Sequence, residues 1–80
     1  MPNVADYSVV SDDPKASGRL TQRELQVLSL VASGMTAVAI GHSLQISPGT
    51  VRKHIENSYS KLNIHDRLQA ASYCRQAGLL

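Results

Sequence analysis

From Leu20 onward, apolar residues recur every three or four positions, and one start signal appears three times. Each signal is an apolar residue followed directly by Thr or Ser, with a second apolar residue five positions after the first. In this arrangement the hydroxyl caps the first turn of a helix, and the two apolar side chains pack across that turn. The repeated signal therefore predicts three helix starts.

The first signal includes a capping box. Thr21 can accept a hydrogen bond from the backbone of Glu24, and the Glu24 carboxylate can reach back to the N–H of Thr21. Gly34 can adopt the left-handed conformation that ends a helix. These signals predict a first helix over about residues 22 to 33.

Two further signals and an acidic cap predict the remaining helices. The second signal places a short helix between Thr36 and about residue 44. The third caps a helix over about 48 to 62 with Ser47, and Pro48 stands at the first helical position, where its missing N–H costs nothing. Asp66 is expected to cap a fourth helix over about 67 to 77.

Only three residues, 45 to 47, separate the second and third predicted helices. Such a short connection allows a sharp change of direction, which indicates a helix-turn-helix. The sequence therefore predicts an all-α fold, a four-helix bundle-like domain in which helices two and three form the helix-turn-helix.

Residues 1–18 show no persistent period and predict a flexible tail or linker ahead of a single domain at 19–80. Charge follows the same division. The tail has a net charge of −2, whereas residues 19–80 carry seven Lys or Arg and three acidic residues, for a net charge of +4. The basic domain favours a polyanionic partner.

The size and composition exclude several classes of protein. A chain of 80 residues is too short for a multidomain enzyme, and no apolar stretch approaches the roughly 18 residues needed to cross a bilayer. Cys74 is the only cysteine, so no intrachain disulfide can form. We expect a cytoplasmic protein that does not enter membranes.

The third predicted helix has two different faces. Its inner stripe consists of Val51, Ile55, Ser58 and Leu62. Its outer face carries side chains that can bond to base edges: Arg52, Lys53, Glu56 and Asn57. The spacing also fits an ordinary solvated polar face, so both interpretations remain open at this point.

Many residues between 19 and 79 form a pattern with fixed spacing. They are LTQRELQVLSLVASGMT (20–36), Ile40, Leu44, ISPGTVRKH (46–54), Asn57, KLNI (61–64), Arg67, Ala70 and Ala71. This set closely resembles the DNA-binding domain of the LuxR/GerE family of bacterial transcription regulators, also called the NarL/FixJ type.

The resemblance implies that the third helix enters the major groove of double-stranded DNA. Arg52, Lys53 and Glu56 match the positions from which such domains read bases. The residues expected at the DNA backbone are Thr36, Ser47, Thr50, His54 and Lys61. It also implies a homodimer through helix four, binding to paired half-sites, and action on RNA polymerase.

The fourth helix has apolar residues on two sides, with Leu68 and Ala71 on one. The other side, Ala70, Tyr73, Cys74 and Ala77, is expected to form the dimer interface. The alternative is that core and tail packing absorb both sides. We also expect Cys74 to be a buried, inert thiol.

Three positions depart from the family pattern. Residues 37–39 are Ala, Val and Ala where the family often has Asn, Lys and Glu. Gly41 replaces a common Ala, which should weaken the second helix unless close packing requires a glycine. Ser58 lies on the inner stripe and needs a local backbone acceptor for its hydroxyl.

No catalytic, metal or cofactor site is expected. His42, His54 and His65 lie on different predicted elements, without Cys or carboxylate at ligand spacing. Two alternatives to a DNA-binding regulator remain. One is a helical protein-interaction module that has lost DNA binding, and the other is a domain like region four of sigma factors, against which His54 and the KLNI segment argue.

Overall fold

Four helices make up the part of the chain that the computed structural model describes, residues 19–80. They are α1 (Gln22–Ala32), α2 (Ala37–Leu44), α3 (Pro48–Leu62) and α4 (Arg67–Gln76). No strand occurs between Arg19 and Leu80, so the fold is all-α, as predicted. The prediction of a tail at 1–18 lies outside the described residues.

Local signals set both ends of α1. The backbone N–H of Glu24 donates to the Thr21 hydroxyl at 3.0 Å, and the N–H of Thr21 donates to the Glu24 carboxylate at 2.9 Å. The predicted capping box is confirmed. Gly34 has a φ of +101° and donates its N–H to the Val31 carbonyl at 3.0 Å, which closes the end of the helix as expected.

The caps predicted for α2 and α3 are also present. The Thr36 hydroxyl accepts from the N–H of Ala39, and the Ser47 hydroxyl accepts from the N–H of Thr50, each at 3.1 Å. Each hydroxyl therefore satisfies one backbone donor that the helix itself leaves without a partner.

The turn between α2 and α3 packs unusually closely against α2. Gln45 takes a left-handed conformation with φ +61°, and the N–H of Ile46 donates to the Gly41 carbonyl at 2.9 Å. A Cβ atom on Gly41 would lie 2.6 Å from the Ile46 carbonyl oxygen. Close packing therefore explains the glycine at this position.

The start of α4 differs slightly from a reciprocal capping box. Asp66 accepts from the N–H of Gln69 at 2.8 Å, but the Gln69 side chain accepts from the N–H of His65 at 2.6 Å. The Gln69 side chain thus holds the backbone of His65, the residue before the cap, and not that of Asp66 itself. At the other end, Gly78 has a φ of +77° and follows the helix as predicted.

Two apolar clusters form the core, and α1 contributes to both. The first contains Val27, Val31, Ile40 and Val51, and it joins α1 to the two helices of the helix-turn-helix. The second joins α1 to α4 through Leu28, Ala70 and Cys74. Because burying one such aliphatic side chain contributes about 1.5 to 3 kcal/mol, α1 is central to the stability of the domain.

The packing of α4 on α1 involves two of the four residues predicted for the dimer interface, whereas Ala77 of that set is exposed. Ala70 and Cys74 are fully buried against α1, and Tyr73 packs partly on the same cluster. A residue without exposed surface in its own domain is not available to a partner. Apolar residues on two sides of α4 made the choice ambiguous, and the small side chains of Ala70 and Cys74 allow the close approach to α1. The opposite side carries Leu68, which is 76% exposed.

Cys74 is a buried thiol, as expected. Its Sγ donates to the Leu28 carbonyl oxygen at 3.8 Å, and burial raises the pKa of the thiol. The thiolate required for reaction is therefore disfavoured. Within residues 19–80, no helix is long and apolar enough to cross a membrane.

Removing the α3 cap should destabilise the domain. We expect Ser47→Ala to lower the free energy of unfolding by about 1 kcal/mol, because the N–H of Thr50 loses its partner. The matched control is Ser43→Ala on the exposed side of α2, which should not destabilise the domain. Urea unfolding followed by circular dichroism measures both changes. Equal stability of the two variants would contradict the assigned helix start.

Candidate nucleic-acid interface

The outer face of α3 brings the four predicted base-reading residues together. Arg52, Lys53 and Glu56 are exposed, and Asn57 is half-buried. The inner face is anchored by Val51 and Ser58, both fully buried. The helix is therefore fixed on one side and presents polar groups on the other.

These side chains combine different hydrogen-bonding capacities. The Arg52 guanidinium is a planar donor, Lys53 is a point donor, and Glu56 is an acceptor. Asn57 offers both a donor and an acceptor. Such a set can distinguish base edges in the major groove, where each base pair shows its own pattern of donors and acceptors.

Three of the predicted backbone-contact residues are exposed hydroxyls at helix starts. Thr36 caps α2, Ser47 caps α3, and Thr50 lies in the first turn of α3. The hydroxyl oxygens of Ser47 and Thr50 are 3.0 Å apart. A helix N-terminus favours an anion because its first N–H groups point outward. The hydroxyls therefore lie where a phosphate is electrostatically favoured.

A cleft connects the start of α1 with the outer side of α3. Its lining residues are Thr21, Glu24, Ser47, Gly49, Thr50, Lys53, His54 and Asn57. Predicted base-reading and backbone-contact residues thus share one continuous surface with the first turn of α1.

Lys61, the fifth residue predicted at the DNA backbone, does not line this cleft. Its Nζ donates to a Glu24 carboxylate oxygen at 2.7 Å and to the Arg19 carbonyl at 2.8 Å, and the two side chains of the ion pair are almost completely withdrawn from solvent. The structure therefore places Lys61 between α3 and α1, away from the outer face. In the sequence, the position of Lys61 three residues after Ser58, close to the inner stripe, was the signal that indicated this placement.

A second cation also serves the fold. The Arg67 guanidinium donates to the Val31 carbonyl at 2.8 Å and to the Met35 carbonyl at 3.2 Å, at the end of α1. The sequence pattern contained Arg67 but did not indicate these partners. Arg67 ties the first turn of α4 to the segment that leads into α2.

The remaining polar residues behave as local chemistry requires. The Ser58 hydroxyl donates to the His54 carbonyl at 2.7 Å, which supplies the acceptor expected for a buried serine. Burial raises the pKa of Tyr59 above its ordinary value, and the nearby Arg67 guanidinium offsets part of this rise. Residues 19–80 contain no group of three or more His, Cys, Asp or Glu placed to hold a metal ion.

The fold and the polar face of α3 define a helix-turn-helix domain. A family model described as "Bacterial regulatory proteins, luxR family" matches residues 18–74. The chain belongs to this family.

Several regulators contain a similar segment. The transcriptional regulatory protein LiaR of Bacillus subtilis is 48% identical over 61 residues, which cover 76% of this chain and 29% of LiaR. The HTH-type transcriptional regulator MalT of Vibrio cholerae is 46% identical over 57 residues, 71% of this chain and 6% of MalT. The response regulator protein VraR of Staphylococcus aureus is 39% identical over 61 residues, 76% of this chain and 29% of VraR. The chain thus spans less than a third of each relative.

The ion pair between Lys61 and Glu24 should matter more for stability than an exposed lysine does. We expect Lys61→Met to lower the free energy of unfolding by about 3 to 5 kcal/mol, because it leaves the buried Glu24 carboxylate without its cation. The control Lys53→Met, on the outer face, should change stability by less than about 0.5 kcal/mol. Urea unfolding measures both.

A double variant keeps the test informative even if Lys61→Met does not fold. Glu24→Gln combined with Lys61→Met removes both charges, and it should be more stable than Lys61→Met alone. If Lys61→Met were as stable as Lys53→Met, the ion pair would not hold α3 against α1.

Proposed function

We propose that this chain binds double-stranded DNA in a sequence-specific manner, with α3 in the major groove, and that it regulates transcription. The observation that carries the proposal is the division of α3 into a buried inner side and an exposed polar outer side. A helix fixed in this way can enter a major groove about 12 Å wide without any change in the core.

Four side chains would read the bases. Arg52 and Lys53 suit guanine, Asn57 suits adenine, and Glu56 can accept from the amino group of cytosine. Thr36, Ser47, Thr50 and His54 would contact phosphates and fix the register of the helix. Lys61 is not included, because Glu24 and the Arg19 carbonyl hold its ammonium group.

We further propose that the chain acts as a homodimer on paired half-sites through the outer side of α4. The apolar group available there is Leu68, with the half-buried Ala71 one turn away. This surface replaces the buried pair Ala70 and Cys74. The chain would act in the cytoplasm and regulate transcription through RNA polymerase. A role in regulation agrees with the regulator names of the relatives.

A protein-interaction module is the second candidate. It is favoured by Val38, which is 59% exposed on α2 and stands where the family often has lysine. Membership of the luxR family sets aside the sigma-factor alternative.

Selection from a random pool of DNA duplexes, at a stated salt concentration near physiological, tests the proposed function. We expect enrichment of one sequence as two related half-sites. A single unpaired half-site would contradict the proposed dimer but would still support sequence-specific DNA binding. No enrichment by folded protein would contradict DNA recognition and favour the interaction module.

Substitutions on α3 should change sequence preference. We expect Arg52→Ala or Lys53→Ala to reduce discrimination at one or two base positions by about 1 to 3 kcal/mol, because a base contact is lost. The control Arg75→Ala removes an equal charge from an exposed position on α4 and should leave base preference unchanged. Equal weakening on all sequences would instead assign the α3 residue to phosphate contact.

A further inference from the structure

The acidic residues of the chain are concentrated directly before the basic domain. Residues 1–18 contain Asp6, Asp12 and Asp13 against the single cation Lys15, whereas residues 19–80 have a net charge of +4. Opposite net charges attract, and the covalent link gives the acidic segment a high effective concentration at the domain.

The domain fixes the point from which the acidic segment starts. The Arg19 carbonyl accepts from Lys61 at 2.8 Å, and Leu20 packs against the second core cluster. Thr21 then lines the same cleft as Lys53 and Asn57. The segment consequently joins the domain beside α3 and beside the cleft that leads to its outer face.

The chain is long enough to reach that face. Asp13 lies six positions before Arg19, and a chain of this length can span about 20 Å. Along α3, the distance from Lys61 to Lys53 is about 12 Å, at 1.5 Å per residue. Both Asp12 and Asp13 can therefore approach Lys53.

The outer face offers two exposed cations to these carboxylates. Arg52 and Lys53 are adjacent and exposed, and Glu56 is the acidic residue on the same face. Lys61, by contrast, already has Glu24 as its partner. The outer face therefore offers an arriving carboxylate two adjacent, exposed cations.

We propose that the segment containing Asp6, Asp12 and Asp13 docks on the Arg52 and Lys53 surface of α3 when DNA is absent, so that DNA must displace it. The docking depends only on this chain. The expected regulatory consequence is weaker DNA binding and a greater need for a well-matched DNA sequence. This consequence rests on the proposed DNA binding.

The docking is tested first without DNA. The triple variant Asp6→Asn, Asp12→Asn and Asp13→Asn is compared with the unchanged 80-residue chain by 15N NMR at low and high salt. We expect the amide signals of residues 49–57 to differ between the two proteins at low salt and to converge at high salt, because salt screens the contact. A Lys15→Gln variant, with a more acidic segment, should move the same signals in the opposite direction from the triple variant.

Affinity for DNA is then measured with a duplex recovered by selection. We expect the triple variant to bind about threefold to tenfold more tightly, since a tether this short gives an effective concentration on the order of millimolar. Tighter binding with unchanged α3 signals would mean only long-range repulsion between the segment and DNA, and it would overturn the docking.

Other outcomes separate the two proposals. If α3 signals respond as expected but no DNA is bound, docking stands and the proposed function fails. Unchanged α3 signals overturn the docking whether or not DNA binds. Signal differences that grow with protein concentration would place the segment of a second copy on the face, which also contradicts docking within one chain.

Discussion

The packing of α1 against all three other helices is the constraint on which the structure depends. Val27, Leu28 and Val31 lose essentially all contact with solvent, and they divide between the two core clusters. One cluster holds the helix-turn-helix, and the other holds α4. Because α1 contributes to both clusters, and Tyr59 and Leu62 of α3 also pack against the second, the recognition helix and α4 have a fixed relation.

Polar interactions then set the orientation of α3 on this apolar support. The Lys61 ammonium lies between Glu24 and the Arg19 carbonyl, and Glu24 also closes the capping box of α1. A displaced ion pair would leave a buried charge, so this arrangement resists rotation or sliding of α3. The outer residues Arg52 and Lys53 take no part in the core. They are therefore available to a partner without loss of stability.

The sequence predicted what depends on neighbouring residues. The caps at Thr21, Thr36 and Ser47 involve residues three positions apart, so their spacing was visible in the chain. The side of α4 that packs on α1 was not visible, because apolar residues occur on both sides of that helix. The ion pair of Lys61 joins residues 37 positions apart, and such a contact depends on how helices pack. Local rules predicted the helices, whereas the burial of Ala70, Cys74 and the Lys61 side chain depends on tertiary packing.

Mapping the contact surface by NMR tests the central claim, that the outer face of α3 is the DNA-reading surface. The labelled protein is titrated with a duplex obtained by selection, and the same titration with an unrelated duplex serves as control. The account predicts that signals of residues 47–57 change most, and that their changes differ between the two duplexes. Largest changes on α4 or on the exposed side of α2, with α3 unaffected, would contradict it.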